Sequence, residues 1–321
     1  MVSSTTGTLA IAIVTFNRSA LLDELLQSAS TMTTPPDRII VVDNASTDDT
    51  QEVVTAWEAK FPPGLLVNHR METNTGGAGG FSEGTKVALE LGAEWVWLMD
   101  DDVEILPDAL ERFAPWMARF KVIHGRRYDV DGTPFYWQAK FNQWLGVPLP
   151  YSVRTFNTDG YAVTNSGTFE GMLVHADVVR RIGLPDPRFF ISWDDAIYAW
   201  LASLETEVVY VDEFVLQKKR EQKQVSLGVR HLNDSSPLAK YHVMRNRAYV
   251  GRYFDEHGHL NRPGFALGTA LTFAKEIVRL VVVERSFRGF SSLVKGWRDG
   301  RKIWADRTWQ PMPALEGGRD D

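Results

Sequence analysis

The sequence predicts an α/β fold, in which helices alternate with the strands of a mostly parallel sheet, followed by a helical C-terminal region. Four short apolar runs are typical of buried strands, at residues 9–14, 39–42, 65–68 and 95–99. Segments with apolar residues at helical spacing separate these runs, and such alternation indicates parallel strands joined by right-handed crossovers. We expect one α/β domain over 1–237, with halves at about 8–105 and 106–237, and a mainly helical region over 238–321.

The elements between and after these strands have recognisable signals. A helix is expected after Ser19, whose hydroxyl can cap it, and a second helix from Thr47 or Asp48. The glycine-rich segment 74–80 predicts a flexible loop that leads into a third helix. Further along we expect irregular loops and short strands over 128–161, helices over 176–182 and 194–204, a strand over 207–211 and a mobile polar loop over 217–236.

Composition limits the classes of function. The chain has 321 residues, 44% hydrophobic and 24% charged, which is ordinary for a globular protein and argues against extensive disorder. A formal net charge of −6 argues against nucleic acid as the partner of the whole chain. With no cysteine, the protein has no disulfide, thiolate zinc site or cysteine nucleophile. This composition fits a cytoplasmic protein.

The two ends of the chain bear on membranes. The N-terminal residues are polar and lack the apolar core of a signal peptide. The apolar run 277–283 is flanked by Glu276 and Glu284 and is far shorter than the ~20 residues that span a bilayer. We expect a soluble or peripheral protein. The stretch 273–309 mixes basic and apolar residues, which leaves two interpretations: an amphipathic surface that contacts a membrane, or a helical hairpin packed on the α/β domain.

Polar clusters follow the predicted strands, where the ligands of parallel sheets bind. Asp100-Asp101-Asp102 is the sharpest of them, because adjacent carboxylates raise one another's pKa unless a cation is present. Alternate residues of an extended segment face the same side, so Asp100 and Asp102 would share Mg²⁺ or Mn²⁺. The alternative is a solvated acidic turn. The segment 43–48 lacks the glycine of a calcium loop; it presents Asp43 to a base or ribose, or merely caps a helix.

Three further segments carry chemical groups. Gly76 and Gly77 allow a ligand to approach the backbone closely at a helix N-terminus, although a glycine-rich loop alone is a weak signal. Asp194 and Asp195 open a helix after Trp193; each would raise the other's pKa toward a value useful for a general base, unless the pair only caps the helix. The segment 241–247 offers arginines that suit a pyrophosphate or that pair with acidic groups structurally.

The order of these segments resembles family 2 glycosyltransferases, which are inverting enzymes of GT-A fold. The residues that carry the resemblance are Ile-Val-Thr-Phe-Asn-Arg at 13–18, Val-Val-Asp-Asn-Ala-Ser-Thr-Asp at 41–48, Asn-Thr-Gly-Gly-Ala-Gly-Gly-Phe at 74–81 and Trp-Leu-Met-Asp-Asp-Asp at 97–102. Phe-Ile-Ser-Trp-Asp-Asp-Ala at 190–196 and His-Val-Met-Arg-Asn-Arg at 242–247 are most similar to galactofuranosyltransferases of bacterial cell-wall galactan synthesis. The resemblance covers roughly residues 8–250, with a weaker echo at 295–301.

The resemblance implies roles for individual residues. The donor, a nucleotide sugar such as UDP-galactofuranose, would contact Thr15, Phe16, Arg18, Asp43, Asn74, Gly76, Gly77, Asp101 and Arg245. The metal ion, Mn²⁺ or Mg²⁺, would bind Asp100 and Asp102. The catalytic residues would be Asp195 as base and Asp194 beside it, and the glycan acceptor, expected to be lipid-linked, would contact Trp193, Phe169 and Glu170. The halves at 8–105 and 106–237 would then be the donor and acceptor halves.

One departure from the family pattern affects the metal site. The family usually has a histidine ligand after the strand near Val211, but this chain reads Phe214-Val-Leu-Gln-Lys-Lys there. His231 or His242 would substitute, or water would complete the shell, or Lys218 would assist the leaving diphosphate by its charge. Alternative functions are a rhamnosyl- or hexosyltransferase of the same fold, or an inactive protein that binds a sugar nucleotide or glycan. A nucleotidyltransferase would favour a basic, glycine-rich loop after the first strand, which here is Thr-Phe-Asn-Arg.

Overall fold

A computed structural model of the chain describes residues 7–135, 138–150, 156–220, 224–226, 231–233 and 236–315, the two short segments as backbone only. The first part alternates strands and helices as the sequence predicts. Its elements are β1 (Leu9–Thr15), α1 (Ser19–Ala29), β2 (Arg38–Asp43), α2 (Thr50–Lys60), β3 (Leu66–Arg70), α3 (Gly76–Glu90) and β4 (Trp95–Asp100).

The middle part is built of shorter elements. They are β5 (Val103–Ile105), α4 (Ala109–Met117), β6 (Val122–Tyr128), β7 (Pro134–Phe135), β8 (Ala139–Asn142), β9 (Val147–Pro150), β10 (Tyr161–Thr164), β11 (Met172–His175), α5 (Ala176–Ile182), a 3₁₀ turn (Pro187–Phe189), α6 (Asp194–Glu205), β12 (Val208–Lys218), β13 (Gln224–Ser226) and β14 (His231–Asn233). The predicted mobile loop over 217–236 lies partly outside the described residues, and within it β13 pairs with β14.

The C-terminal part is helical, as predicted. It consists of α7 (Pro237–Arg245), α8 (Arg247–Glu256), α9 (Arg262–Val278), a π-helical turn (Arg279–Val283) and α10 (Phe290–Ala305). Within the described residues, no helix has both the length and the apolar character needed to cross a bilayer. The predicted boundary between 237 and 238 falls at the start of α7, and the division into domains stays a prediction.

The central sheet is mainly parallel, in the order β10-β12-β6-β11-β4-β1-β2-β3. Strands β3, β2, β1 and β4 run parallel to one another, and β6 runs parallel to β12. Strand β11 lies antiparallel between β4 and β6. The α/β prediction is therefore confirmed, with antiparallel β11 in the interior of the sheet and the short strands β5, β7 and β10 antiparallel to their neighbours.

Both faces of the sheet are buried, which explains why its strands read as continuous apolar runs. All seven residues of β1 are buried. One core lies between the sheet and α1, α2 and α4, and a second lies between the sheet and α3, α5 and α6. Helices cover both faces of the sheet, so the ends of the strands are left open, and the site lies at those ends.

Three local expectations need correction. Ser19 is the first residue of α1 and does not cap it; its amide donates instead to the Asp48 carboxylate (3.0 Å). Helix α2 begins at Thr50, although Asp48 accepts a hydrogen bond from the Thr50 amide (3.2 Å). The glycine run is not a flexible loop, because helix α3 begins at Gly76 and most of its glycines are buried against neighbouring chain. Tertiary packing here outweighs the low helix propensity of glycine.

Candidate active site

A cavity of about 330 Å³ lies where the end of β4 meets the first turns of α3 and α6. It is lined by Gly77, Phe81, Asp100, Thr168, Phe169, Glu170, Ile191, Ser192, Asp194 and Asp195. Six of these were predicted from the sequence as site residues, from four separate segments. A larger cavity of about 450 Å³ lies beside α5, α6 and the segment 310–314, but none of the predicted site residues lines it. We therefore take the smaller cavity as the site.

The aspartate triplet divides into two sides. The middle carboxylate, Asp101, is buried and turned toward β1, where it accepts hydrogen bonds from the Thr15 hydroxyl (2.8 Å) and from the Arg18 guanidinium (2.8 Å). Asp100 lines the cavity, and Asp102 lies 3.6 Å from Arg18. Thr15 and Arg18, both predicted to hold the donor, thus fix Asp101, and they orient the triplet.

The charges on this triplet are unfavourable without a counterion. Burial raises the pKa of Asp100 to about 7, and the carboxylates of Asp102 and Asp101 add to the shift, against the opposing charge of Arg18. A carboxylate that is desolvated and surrounded by like charge gains from a proton or from a divalent cation. Asp100 and Asp102 therefore have the chemistry of ligands for a hard cation such as Mg²⁺ or Mn²⁺.

A third protein ligand for such a cation is not evident. Across the described parts of the chain, no three histidine, aspartate or glutamate side chains form a cluster suited to a metal ion. The ring of His242 stacks on Phe190, with 4.9 Å between the ring centroids, and burial lowers its pKa to about 4. The side chain of His231 lies outside the described residues. The assignment of either histidine as a ligand stays a prediction.

Asp194 and Asp195 form the first turn of α6 and face the same cavity as Asp100. The Asp195 carboxylate accepts a hydrogen bond from the Ala196 amide (2.7 Å). Burial raises the pKa of both carboxyls, and the charge of Asp195 raises that of Asp194 further. One of the pair is thereby held protonated more readily than an ordinary aspartate, which suits a group that takes up a proton during a reaction.

The backbone leading into α6 is strained. Phe190, Ser192 and Trp193 all have positive φ angles, of 65°, 72° and 73°. For residues with a Cβ this conformation is costly, and it persists only where surrounding contacts enforce it. The Trp193 indole contributes one such contact by donating a hydrogen bond to the carbonyl of Val243 (2.9 Å). This strain aims the α6 carboxylates into the cavity.

Asn246 is the main support of this segment, and sequence reasoning missed it. Its side-chain amide donates to the carbonyl oxygens of Phe189, Ile191 and Ser192, at 2.8–2.9 Å, and it is fully buried. Only the arginines on either side of it had been singled out. A buried asparagine in a basic segment gives no local signal, because its partners lie more than fifty residues earlier.

Arg245 supports the same segment. Its guanidinium donates to the carbonyl oxygens of Arg188 (2.5 Å) and Phe189 (2.9 Å). These contacts favour the structural interpretation of this arginine over the prediction that it binds the pyrophosphate.

The start of α3 is tied to the strained segment. Asn44 donates to the carbonyl of Gly76 (2.8 Å), and Asn74 accepts from the amide of Gly76 (2.8 Å). The amide of Ala78 donates to the Phe190 carbonyl (3.1 Å). A Cβ at Gly76 would lie 2.0 Å from that carbonyl oxygen, whereas Gly77 lines the cavity. Gly76 therefore serves packing, and Gly77 is the position where backbone meets a ligand.

Asp43 and Phe16 differ in their access to the site. Asp43 is fully buried, and its carboxylate accepts from the Ser46 amide (2.8 Å) and from the Gln51 amide group (2.6 Å). Neither donor is a backbone amide of α2, so Asp43 does not cap that helix; it stabilises the turn over 43–46, and its contact with a base or ribose stays a prediction. The Phe16 side chain is 40% exposed and available to a ligand.

Two cations act on the triplet: Arg127, which sequence reasoning missed, and Lys218, which it named as an aid to the leaving diphosphate. Arg127, in β6, is buried and forms an ion pair with Glu170, and burial lowers its pKa to about 9, although Asp102 and Asp100 oppose that shift. Lys218, at the end of β12, is also buried; burial and the charge of Arg127 lower its pKa. The charges of Asp100 and Asp102 act on Arg127, and that of Asp102 acts on Lys218, so positive groups lie near the triplet.

Comparison with known proteins identifies the class. The model of the family described as "Glycosyl transferase family 2" matches residues 10–178, which is more than half of the chain. The chain belongs to glycosyl transferase family 2. The match covers the chain from β1 to the start of α5, including the aspartate triplet and the cavity-lining residues 168–170.

The chain is similar to several individual members. It is 30% identical over 195 residues to the galactofuranosyltransferase GlfT1 of Mycolicibacterium smegmatis, which covers 57% of this chain and 61% of that protein. GlfT1 of Mycobacterium tuberculosis is 29% identical over 192 residues, covering 57% and 60%. YwdF of Bacillus subtilis, an uncharacterised glycosyltransferase, is 29% identical over 202 residues, covering 59% and 66%. The chain thus matches less than two thirds of the length of each.

Solved structures share the fold over nearly the whole chain. S. aureus TarS 1-349 in complex with UDP-GlcNAc gives a TM-score of 0.53 at 17% identity, covering 93% of this chain and 91% of that one. The mannosyltransferase PcManGT from Pyrobaculum calidifontis, in complex with GDP-Man and Mn²⁺, gives 0.53 at 15% identity, covering 95% and 77%. At these identities the likeness shows the fold alone, which is the predicted GT-A type.

Proposed function

We propose that the chain is an inverting glycosyltransferase that transfers galactofuranose from UDP-galactofuranose to a hydroxyl of a lipid-linked glycan acceptor. The observation that carries this proposal is the shared cavity of Asp100 and Asp195. A carboxylate suited to a metal ion and a carboxylate suited to a general base lie on the walls of one cavity, where a donor diphosphate and an acceptor hydroxyl can meet.

The proposed step is a single displacement. The acceptor oxygen attacks the anomeric carbon from the face opposite the leaving group, and its proton passes to the Asp195 carboxylate. The new glycosidic C–O bond forms as the bond between the anomeric carbon and the diphosphate oxygen breaks, and UDP leaves with the electron pair. The raised pKa of Asp195 supports this role, because a base is most effective when its pKa approaches the working pH.

The proposed metal ion is Mn²⁺ or Mg²⁺, held by Asp100 and Asp102. When bound, such an ion offsets the negative charge that develops on the departing diphosphate. PcManGT, a structure of the same fold, was solved with Mn²⁺. We propose that Lys218, at the end of β12, stands where the family usually has a histidine ligand and that its charge assists the leaving group.

The remaining predicted residues divide between donor and acceptor. On the donor side we assign Phe16 and Gly77, which have open access, with Thr15, Arg18, Asp43, Asn74, Gly76 and Asp101 as their support. On the acceptor side we assign Trp193 and Glu170. Phe169 is buried against Phe81 (4.6 Å between ring centroids) and forms the cavity floor between the two sides.

The choice of galactofuranose rests on the sequence relatives, because two GlfT1 proteins are 29–30% identical over more than half of this chain. The fold does not distinguish donors: TarS was solved with UDP-GlcNAc and PcManGT with GDP-Man. A rhamnosyl- or hexosyltransferase is therefore the alternative that the test must address.

The test is donor turnover. Purified protein is incubated with UDP-galactofuranose, UDP-galactopyranose, UDP-glucose or dTDP-rhamnose, each with and without Mn²⁺, and released nucleoside diphosphate is measured. We expect metal-dependent release from UDP-galactofuranose alone. Release from another donor would replace the sugar and keep the class. Release from none, with no donor binding by calorimetry, would contradict the enzymatic proposal and favour a binding protein.

A further inference from the structure

Helix α9 carries an apolar surface on its outward face. Its large exposed side chains, continued into the π-helical turn, are Leu267, Leu271, Val278, Val281 and Val282, which are 41–51% exposed. Pro263, Ala266, Ala270 and Ala274 fill the same outward face. Spacings of three and four residues keep these side chains on one side of the helix. We call this surface the outer stripe; the outward face of a surface helix is ordinarily polar.

The orientation of the helix is fixed by its inward face. A Cβ at Gly264 would lie 2.5 Å from the carbonyl oxygen of Trp144, and one at Gly268 would lie 1.9 Å from that of Leu145. The backbone of α9 therefore packs directly on the segment before β9. Glu276, fully buried on the inward side, pairs with Lys275 and Arg279. The outer stripe cannot turn inward without breaking these contacts.

The outer stripe ends in an exposed tip, residues 284–289. The Ser286 amide donates to the Leu280 carbonyl (2.9 Å), and the Phe290 amide donates to the Phe287 carbonyl (3.1 Å), so the tip folds back onto the end of the stripe. The Phe287 side chain is 73% exposed, the highest value among the exposed large hydrophobic side chains. The tip thus extends the apolar surface by an aromatic ring.

Positive charge predominates in the tip and in helix α10 that follows it, although the whole chain carries −6. Residues 279–302 contain seven cations and two carboxylates: Arg279, Arg285, Arg288, Lys295, Arg298, Arg301 and Lys302 against Glu284 and Asp299. Arg285 and Arg288 are exposed, and the described part of the chain gives neither an ion pair. A cleft of about 430 Å³ on α10, lined by Phe290, Lys295 and Arg298 among others, continues the basic region.

We propose that the outer stripe and the tip bind the surface of an anionic lipid bilayer, with α9 lying in the plane of the interface. Aliphatic side chains would enter the boundary of the acyl chains, and Arg285 and Arg288 would contact the headgroups. Charge complementarity favours an anionic membrane as the occupant. Although the chain is acidic, its unpaired cations lie beside its most exposed apolar side chains, so anionic headgroups can attract the cations where the acyl region can take up the apolar side chains. The inference adds a membrane contact to the proposed function and does not depend on the donor sugar.

The test is vesicle flotation of the full chain, with phosphatidylcholine vesicles and with vesicles of phosphatidylcholine and phosphatidylglycerol. We expect binding to the anionic vesicles only. Leu271→Glu should abolish this binding. The control is Leu91→Glu, at the C-cap residue of α3, where the leucine is 45% exposed; it should leave binding unchanged. Arg285→Gln with Arg288→Gln should weaken binding about fivefold per cation removed, and Arg38→Gln with Lys60→Gln should not.

Three results would overturn the proposal: equal binding to neutral vesicles, binding unaffected by Leu271→Glu, or no binding at all. Light scattering on the same samples identifies the rival occupant. If the wild-type chain is a dimer that Leu271→Glu makes monomeric, the outer stripe is an interface between two copies. Donor turnover with a water-soluble acceptor should be equal in all variants, which separates failure of this inference from failure of the proposed function.

Discussion

At the scale of a single residue, Asp100 is a site residue whose negative charge lowers the stability of the folded protein. Its pKa is raised above its unfolded value, chiefly by burial, so its favourable contribution is present at low pH and is lost as pH rises toward about 7. The ionised carboxylate is then desolvated and faces Asp101 and Asp102. Binding of a divalent cation would relieve this cost, so function and stability compete at this residue.

We therefore predict that Asp100→Asn stabilises the protein while it abolishes metal-dependent turnover. The amide removes the desolvated charge, and unfolding in urea should require about 1–2 kcal/mol more at about pH 7.5, with a smaller gain at about pH 5.5, because the difference shrinks as pH falls toward the ordinary aspartate pKa. Asp159→Asn, at an exposed aspartate, serves as control and should leave stability unchanged at both pH values. Loss of stability in Asp100→Asn at the higher pH would contradict this account of the triplet.

A second prediction concerns the pH dependence of turnover. Asp195 must be ionised to accept the acceptor proton, and burial raises its pKa, so kcat should fall with decreasing pH at a higher pH than an ordinary aspartate would give. Asp194→Asn should leave the position of this acidic limb unchanged, because an amide resembles the protonated carboxyl that burial and the charge of Asp195 favour at that position. An acidic limb near the ordinary aspartate pKa would count against Asp195 as base.

At the scale of elements, the site depends on the contact between the start of α3 and the strained segment before α6. Gly76 has a φ of +73°, and a Cβ there would meet the Phe190 carbonyl oxygen at 2.0 Å. Gly76→Ala should cost about 2–4 kcal/mol in the free energy of unfolding, from strain and overpacking together. Gly92→Ala, at φ +80° with open space around it, isolates the strain and should cost about 1 kcal/mol. Equal costs in urea unfolding would show that the contact with Phe190 is unimportant.

Helix α7 and its junction with α8 act on the site from the other side. Asn246→Ala removes three hydrogen bonds to the segment 189–192, so both stability, by about 2 kcal/mol, and kcat should fall. Asn261 caps α9 away from the cavity, and Asn261→Ala should cost about 1 kcal/mol with kcat unchanged. If kcat survives in Asn246→Ala, the strained segment does not need this support to aim the α6 carboxylates.

At the scale of the whole molecule, the sequence predicted the fold because its strands are buried on both faces. Runs such as 9–14 and 39–42 are apolar at every position, which marks them without knowledge of their neighbours. The aspartate triplet could also be recognised from the sequence as a candidate site, since three adjacent carboxylates repel one another wherever they occur. Local composition was sufficient in both cases.

Other features depend on distant contacts and gave no local signal. The glycines of α3 were predicted as a loop from their low helix propensity, but packing against β1 and Phe190 holds them in a helix. Asn246 and Arg127 act through partners that are far away in the chain or come from another strand. Antiparallel β11, inserted between β4 and β6, was also not foreseen. Such placements follow from tertiary packing and not from any one segment.

The central claim is that the end of β4 and the start of α6 form one catalytic site, and Asp195→Asn tests it most directly. Release of UDP from UDP-galactofuranose in the presence of acceptor is compared between wild type, Asp195→Asn and the control Glu205→Gln at the far end of α6. We predict a loss of ~10²–10⁴-fold in Asp195→Asn, with UDP affinity by calorimetry unchanged, and full activity in the control. Undiminished turnover, or an equal loss of UDP affinity, would contradict the assignment of Asp195 as the base of this site.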